Sequence, residues 1–575
     1  MPKSIHLFYF SFALTYCQQD LRFSRLIWGT FFPLEWRSMT KEGEELWKKY
    51  CSFFDKPFSE QVEYNELKLK EYFKRWKQTK MAKQLCPKGV KRFEDVPLTT
   101  YDDYPILHEF GKKVEHLSKT VPRRKGELLW NYYDRISRKA APMLDGWMAG
   151  EYGFCSTTSG TSGTSKWFAH GKSFSKNLDS LISYCIMVCS DRWGDTTLRK
   201  GDTFLNVTAP PPYISSCYIR HIQRILKPIP PPNVADEITN MRKKIWMIFK
   251  IIEKGQKIDL GGGVASFFYM FARYFTRSDE FFKEYYQSMD FGVKKFLSFL
   301  KYLQCKMARK KYKKARDAMP VKGIGVGGYD TKQYIDYIKN EFGVTPTSSY
   351  ASTEFGQIMY GHTDRKTDYL PDLRDGYFEF LTKKGEIKKI NELKKEHIYD
   401  LVGTPFGSML IRYNIGDQLR VIDFRDDGLP IFDVEGRRKE IIDIYGYYRL
   451  TQAMAVRVLC EAGLKETDKW CVVKRIDPKE HICILMEKEW KHSERKAAEL
   501  VFEAMKKLNP EFRNYVADFR IKDPFEVIKV EYLRKGAFMR YSMKQGKTGA
   551  ALGNLKPPKI VTADKSEVAD LLRSV

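Results

Sequence analysis

From Glu42 to about Leu85 the apolar positions keep a helical period. Leu46, Tyr50, Phe53 and later Leu67, Leu69, Tyr72, Phe73 and Trp76 recur three and four residues apart. Val96–Leu107 breaks that period and reads as an extended lead-in segment. Asn177–Arg192 predicts a helix, and Asp202–Val207 a strand stopped by Pro210-Pro211-Pro212. Ile258–Phe268 carries Gly261-Gly262-Gly263, which fits a tight strand-to-helix turn better than a second phosphate loop. Val321–Gly328 predicts a short buried strand, Tyr334–Phe342 a helix and Val344–Tyr350 another strand. This alternation, from about Thr158 to Tyr360, predicts an α/β fold with mostly parallel strands.

After Tyr360 the pattern shortens. Tyr377–Phe380, Ser408–Tyr413, Gln418–Asp423 and Leu429–Val434 are short β runs separated by turn residues, which predicts a small antiparallel sheet or barrel. From Gly436 onward strand and helix signals alternate again, over Ile441–Ile444, Ala453–Ala462, Trp470–Ile476, His481–Glu487, Ser493–Leu508 and Tyr515–Ile521. They predict a compact α+β C-terminal domain. No internal repeat is visible.

A chain of 575 residues exceeds one compact core. Ile5–Cys17 is an apolar run behind Lys3, like a signal-peptide core, but no A-x-A-like cleavage site follows. Met39 precedes an ordinary amphipathic helix start and reads as the initiator, which leaves 1–38 as a doubtful extension. No apolar run reaches the ~18 residues of a membrane span. The 11 cysteines are scattered without a C-x-x-C pair. Cys185 and Cys189 sit in an apolar run and read as buried thiols, and a reducing, cytoplasmic setting fits. The net charge of +27 favours acidic partners such as nucleotides, nucleic acid or a membrane surface. Its cations are spread along the chain, which discounts a dedicated nucleic-acid domain. The densest basic run, Lys306–Arg316, fits a solvated face as well as a binding role.

One stretch has no apolar side chain to bury: Ser156-Thr157-Thr158-Ser159-Gly160-Thr161-Ser162-Gly163-Thr164-Ser165-Lys166. It is flanked by apolar patterns, so it reads as a tight connection inside a domain. Successive backbone N–H groups, hydroxyls and a terminal lysine suit a polyphosphate. The Walker spacing G-x-x-x-x-G-K-[ST] is absent.

This loop, Tyr350–Glu354, Arg412–Asp417 and Gly436-Arg437-Arg438 together resemble, in order and spacing, the ANL superfamily of adenylate-forming ligases. Thr158–Lys166 is similar to T-S-G-T-T-G-x-P-K, with Ser162 for the second Thr and Ser165 for the Pro. Tyr350–Glu354 is similar to Y-G-x-T-E, with Ala351 for the Gly. Arg412–Asp417 resembles the R-Y-x-x-G-D of phenylacetate–CoA ligases. Val96–Tyr101 and the tail from Gly536-Ala537-Phe538 to Lys556-Pro557-Pro558 resemble the plant auxin-responsive acyl acid–amido synthetases.

The resemblance implies a large adenylate-forming domain over 39–435 and a smaller mobile domain over 436–575. It implies ATP and Mg²⁺, a small carboxylic acid, and an amine or CoA acceptor. Ser159, Gly160, Thr161, Ser162, Gly163 and Lys166 would hold the β- and γ-phosphates. Thr353 would bond the α-phosphate and Glu354 would hold Mg²⁺. Tyr350 would stack on adenine, Asp417 would accept the ribose hydroxyls, and Arg437 would sit at the hinge near ribose and phosphate. A C-terminal lysine would serve adenylation: Lys556 is preferred, with Lys547 competing. The acyl pocket is expected near Val264–Phe268. A competing class is a non-catalytic nucleotide- or nucleic-acid-binding protein.

Overall fold

The computed structural model describes residues 41–575 except 159–165, 175–177, 239–240, 288–292, 308–311, 328–330, 438–440, 445–447, 465–468, 477–479, 489, 547–557, 563–566 and 575. The helices Lys41–Tyr50 and Phe58–Trp76 realise the first helical period, with an irregular break around Ser52–Asp55. Strands β1 (Tyr152–Thr157) and β2 (Trp167–Gly171) form an antiparallel hairpin whose connection is the Ser/Thr/Gly run. A helix directly after that run was expected. Instead β2 intervenes, and the helix is Asp179–Val188. The alternation Trp167, Phe168, Ala169, His170 pairs back onto β1 before the chain turns.

The central sheet has seven strands in the order β4-β3-β5-β6-β7-β8-β9. They are β3 (Thr203–Leu205), β4 (Lys227–Ile229), β5 (Leu260–Val264), β6 (Gly323–Gly327), β7 (Thr347–Ser352), β8 (Gly356–Tyr360) and β9 (Leu370–Pro371). Pairing is parallel from β4 to β7 and antiparallel for β8 and β9. Helices cover both faces, as parallel strands require. Asp179–Val188, with Leu181, Ile182 and Tyr184, packs with Phe204 and Leu260 on one face. Ala265–Thr276, with Phe268 and Phe271, packs with Ile324 and Val326 on the other. The helix Asp179–Val188 is buried along most of its length, which its apolar composition on all sides demands. Gly261-Gly262-Gly263 lies inside β5, and the helix starts one residue after the strand ends.

A five-stranded antiparallel sheet follows, ordered β11-β10-β12-β13-β14, from β10 (Gly376–Leu381), β11 (Ile387–Lys389), β12 (Ile398–Pro405), β13 (Tyr413–Phe424) and β14 (Pro430–Arg437). Ser408–Tyr413, expected as a β run, is an irregular corner, and β13 begins only at Tyr413. Arg412 adopts a left-handed φ of 42°. Its buried guanidinium donates to both Glu379 oxygens at 2.9 Å and to the Glu94 and Val96 carbonyls at 2.6 Å. The corner's carbonyls accept from other elements: Ser408 O from the Tyr72 hydroxyl and Ile411 O from Thr99 Oγ1. These long-range partners replace a strand ladder.

Beyond β14 a short hairpin, β15 (Ile442–Ile444) and β16 (Tyr448–Leu450), precedes a four-stranded sheet ordered β19-β18-β17-β20. Its strands are β17 (Trp470–Arg475), β18 (His481–Glu487), β19 (Ile528–Leu533) and β20 (Ile560–Val561). Along β18, Ile482, Ile484 and Met486 face a core with helices Gln452–Glu461 and Glu494–Leu508. Cys483 and Leu485 face Phe538, Tyr541 and Leu572. Gly536-Ala537-Phe538 opens the helix Ala537–Gly546, and the buried Glu487 accepts from the Gly536 and Phe538 N–H groups at 2.8 and 3.0 Å. The link from β14 is polar. The buried Glu435 accepts from Arg420 at 2.6 Å, from Thr451 at 2.9 Å and from Arg457 at 3.2 Å.

Among the described residues ten cysteines are free; Cys185 is buried on the helix Asp179–Val188 and Cys189 is buried just after its end. Among the described residues no group of three or more His, Cys, Asp or Glu is placed to hold a metal ion, and no helix is long and apolar enough to cross a membrane.

His170 of β2 is fully buried against the Phe154 and Phe174 rings, and its Nε2 lies 2.7 Å from Ser156 Oγ. Burial pushes its pKa down to about 3. The unfolded chain takes up that proton near pH 6.5. The folded state is therefore disfavoured as pH falls from 6.5 toward 3, by up to about 1.4 kcal/mol per pH unit for this group. Thermal melting between pH 7.5 and 5 should show a shallower loss of Tm in His170→Gln than in the parent. Equal slopes would remove His170 from the acid response.

Candidate active site

The carboxyl ends of β5, β6 and β7 open onto a cavity of about 900 Å³, where ligands bind in open α/β sheets. The hairpin supplies one wall. Thr158 N donates to Lys166 O at 2.9 Å, and Lys166 N donates to Thr158 Oγ1 at 3.0 Å, so the ends of the Ser/Thr/Gly loop are clasped together. Ser159, Gly160, Thr161, Ser162 and Gly163, between those ends, lie outside the described residues, as do Lys547 and Lys556.

A second wall is β7 and the turn after it. Tyr350 is buried on β7, beside a register shift between Tyr350 and Ala351. Ser352 Oγ accepts from Phe355 N at 3.1 Å, which tightens the turn carrying Thr353 and Glu354. Burial raises the Glu354 pKa; nearby Asp417 adds to the rise and Arg437 opposes it. The third wall is β13 and β14, where Asp417 and Arg437 are directly paired in register. Asp417 Oδ2 accepts from the Tyr350 hydroxyl at 2.6 Å, and Oδ1 accepts from Arg437 Nε at 3.2 Å.

Lys166, Tyr350, Thr353, Glu354, Asp417 and Arg437 thus line one cavity, although 271 positions separate the first from the last. Arg412 does not. It is spent on Glu379 and on the lead-in segment, which Thr99 pairs to the start of β13 through Arg412 O and Asn414 N at 2.9 and 2.8 Å. The lead-in segment in turn delivers a residue that sequence reasoning missed. The Tyr101 hydroxyl accepts from Trp167 N at 2.9 Å, and the Lys166 ammonium stands 5.2 Å from the Tyr101 ring centre. Burial raises the Tyr101 pKa to about 12. An aromatic set between Thr99-Thr100 and Asp102-Asp103 was the available signal.

The other end of the cavity is apolar. Helix Asp179–Val188 contributes Leu181 and Val188, helix Ile214–Ile222 contributes Ile219 and Ile222, and β5 leads to Val264 and Phe267. The expected acyl position near Val264–Phe268 therefore lies on the cavity's edge. Every charged lining residue (Asp102, Lys166, Glu354, Asp417 and Arg437) belongs to the polar end. The buried Tyr218 hydroxyl, between the two ends, has no hydrogen-bond partner among the described residues. A Cβ on Gly262 would stand 2.5 Å from the Phe204 ring, one on Gly263 2.8 Å from Val207, and one on Gly325 2.6 Å from the Tyr184 hydroxyl. Bulky cavity-lining side chains thus lie directly on glycine backbone.

The sequence matches no family model and no curated protein. The fold does have relatives. The chain is similar to AtGH3.15 acyl acid amido synthetase in complex with 2,4-DB, with a TM-score of 0.62, 16% identity, and coverage of 89% of this chain and 93% of that chain. The fold is that of the acyl acid amido synthetases. A second structure, GH3.15 acyl acid amido synthetase, gives a TM-score of 0.58 at 17% identity over the same shares of both chains. In this acyl acid amido synthetase fold the cavity lies against the central sheet, between the β1–β2 hairpin and the antiparallel sheet.

The Tyr350–Asp417 contact supports a direct test. Tyr350→Phe leaves a buried carboxylate oxygen without its donor, which costs about 1–3 kcal/mol. The variant should melt at a lower temperature than the parent with unchanged far-UV circular dichroism. An unchanged Tm would mean that Asp417 takes its support from Arg437 alone.

Proposed function

We propose that this chain is an ATP- and Mg²⁺-dependent carboxylate ligase that forms an acyl-adenylate and passes the acyl group to an amine. The observation that carries the reading is the two-ended cavity: a charged end assembled from four separated sequence motifs, continuous with an uncharged apolar end. In the first step a carboxylate oxygen attacks the α-phosphorus of ATP, the bond to the β-phosphate oxygen breaks, and pyrophosphate leaves. In the second an amine nitrogen attacks the acyl carbon, AMP leaves, and the nitrogen loses a proton.

Tyr350, Glu354 and Asp417 then have parts that their surroundings support, and the resemblance supplies the others. Ser159 to Gly163 and Lys166 would receive the β- and γ-phosphates, and Thr353 the α-phosphate, where charge develops. A carboxylate offers about four acceptor positions. Tyr350 and Arg437 use two on Asp417, which leaves two for the ribose hydroxyls. The hydroxyl contact fixes the Tyr350 ring, whose face would meet adenine. Glu354 fits a cation site: burial disfavours its charge, and a bound cation restores it. Mg²⁺ held by Glu354 would neutralise phosphate charge. Lys556 would bridge the carboxylate and the α-phosphate during the first step. In this reading 39–435 is the adenylate-forming domain and 436–575 the mobile one.

The acceptor is assigned to the amine class because the fold is that of the amido synthetases. Product analysis with a panel of amines and with CoA separates the two acceptors. ATP–pyrophosphate exchange across a panel of carboxylic acids tests the first step. Acids with uncharged apolar tails should exchange, and dicarboxylates of the same length should not, because among the described residues no cation lines the apolar end. Exchange with no acid, together with salt-sensitive RNA or DNA binding, would replace the proposal by a binding protein.

Glu354→Gln should lower exchange ~10²-fold or more with the fold intact. Normal exchange in that variant would remove Glu354 from the site. Lys556→Ala should lose exchange yet consume supplied acyl-AMP, while Lys547→Ala keeps both. The reverse pattern would assign the role to Lys547.

A further inference from the structure

The apolar end of the cavity runs along the sheet beneath it. Its lining includes Val264 and Leu260, the last and first residues of β5, which steps of about 3.3 Å per residue place ~13 Å apart. Above the sheet it includes Leu181 and Val188, two turns apart on one helix and so ~10 Å from each other. It also includes Ile214 and Ile222, the two ends of the next helix. Val188 belongs to the inner end, because its Cγ1 would stand 2.8 Å from a Cβ on Gly323, the register partner of Leu260. Val188, Ile222 and Leu260 are each at most 2% exposed, so that end is closed to solvent.

Halfway along, the passage narrows. Phe204 Cζ lies 2.5 Å from a Cβ position on Gly262, and the Tyr184 hydroxyl 2.6 Å from one on Gly325. Gly262 and Gly325 are register partners on neighbouring strands, about 4.8 Å apart. The two rings therefore stand side by side on the floor. Tyr184 cannot swing aside without losing a bond, since its hydroxyl donates to Thr347 O at 2.8 Å. A rigid ring system stops at such a waist, whereas a flexible chain threads past it. Beyond the waist Cys185, Val188, Ile222 and Leu260 still line the cavity, and no charged side chain among the described residues joins them. We infer that the acid is an unbranched medium-chain fatty acid, with its carboxylate at the charged end and its tail running past Phe204 and Tyr184 to Val188. With carbon–carbon bonds of about 1.5 Å in a zigzag, a depth of ~10–13 Å takes about eight to ten carbons. The inference rests on the ligase reading, which sets the end at which the carboxylate lies.

The test is ATP–pyrophosphate exchange with straight-chain acids from butanoate to hexadecanoate, beside benzoate and phenylacetate. In the series, kcat/KM should rise roughly fourfold per added carbon, peak near decanoate and fall beyond it. The ring acids should lie on the order of ten-fold or more below the peak. Ile222→Phe fills the inner end and should move the peak to shorter acids. Val188→Ala enlarges it and should move the peak to longer ones. The shifts are opposite, so if the melting temperature shows one variant to be poorly folded, the other still decides. A ring acid exchanging best, a flat response to chain length, a peak at hexanoate or below, or a peak that neither variant moves would overturn the inference and leave the ligase reading standing. Exchange with no acid would overturn both.

Discussion

The candidate site depends on one buried carboxylate. Asp417 is 2% exposed, and an isolated charge at such a depth is strongly unfavourable. Its two partners come from different parts of the fold: Tyr350 from the central sheet and Arg437 from the last residue of the antiparallel sheet. Satisfying this group therefore fixes the distance between the two sheets, and the cavity is the space that this distance leaves. Glu354 feels the same arrangement, because Asp417 and Arg437 act on its carboxyl in opposite directions.

Two other buried ionic groups work at a distance from the cavity. Arg412 and Glu379 hold the lead-in segment against β13, which positions Tyr101 under Lys166. Glu435 joins β13 to the helix Gln452–Glu461 through Arg420, Thr451 and Arg457. Removing one partner from such a group costs far more than the pair contributes, because the other charge stays buried. These contacts specify the arrangement more than they stabilise it.

Much of this was legible in the sequence. Period and length placed strands β3, β6 and β7 and the helices near 42–76, 179–188 and 335–342, since each buries an apolar pattern of its own, but not β4 or many of the other helices. Tyr350, Glu354, Asp417 and Arg437 were readable as a set because motif order survives where single residues say little. The misses share a cause: long-range partners decided the local structure. The corner at Ser408–Arg412 looks like a strand, yet its side chains and carbonyls are taken up by Tyr72, Thr99 and Glu379. Strand β2 was hidden because its pairing partner lies across the Ser/Thr/Gly run. Tyr101 was hidden because its role depends on Trp167, 66 positions away.

The glycines of β5 and β6 carry a further consequence. Where a cavity wall is side chain, a smaller residue widens it. Here Phe204, Val207 and Tyr184 rest on bare backbone at Gly262, Gly263 and Gly325, so no smaller residue exists. On that wall variation runs one way: any substitution drives an overlying side chain toward the ligand space. A wider cavity must come from the side chains above that floor, among them Phe204, Val207 and those of the helices Asp179–Val188 and Ile214–Ile222, and a narrower one from either side. The glycine backbone acts as a fixed floor, and the side chains facing it hold the adjustable dimension.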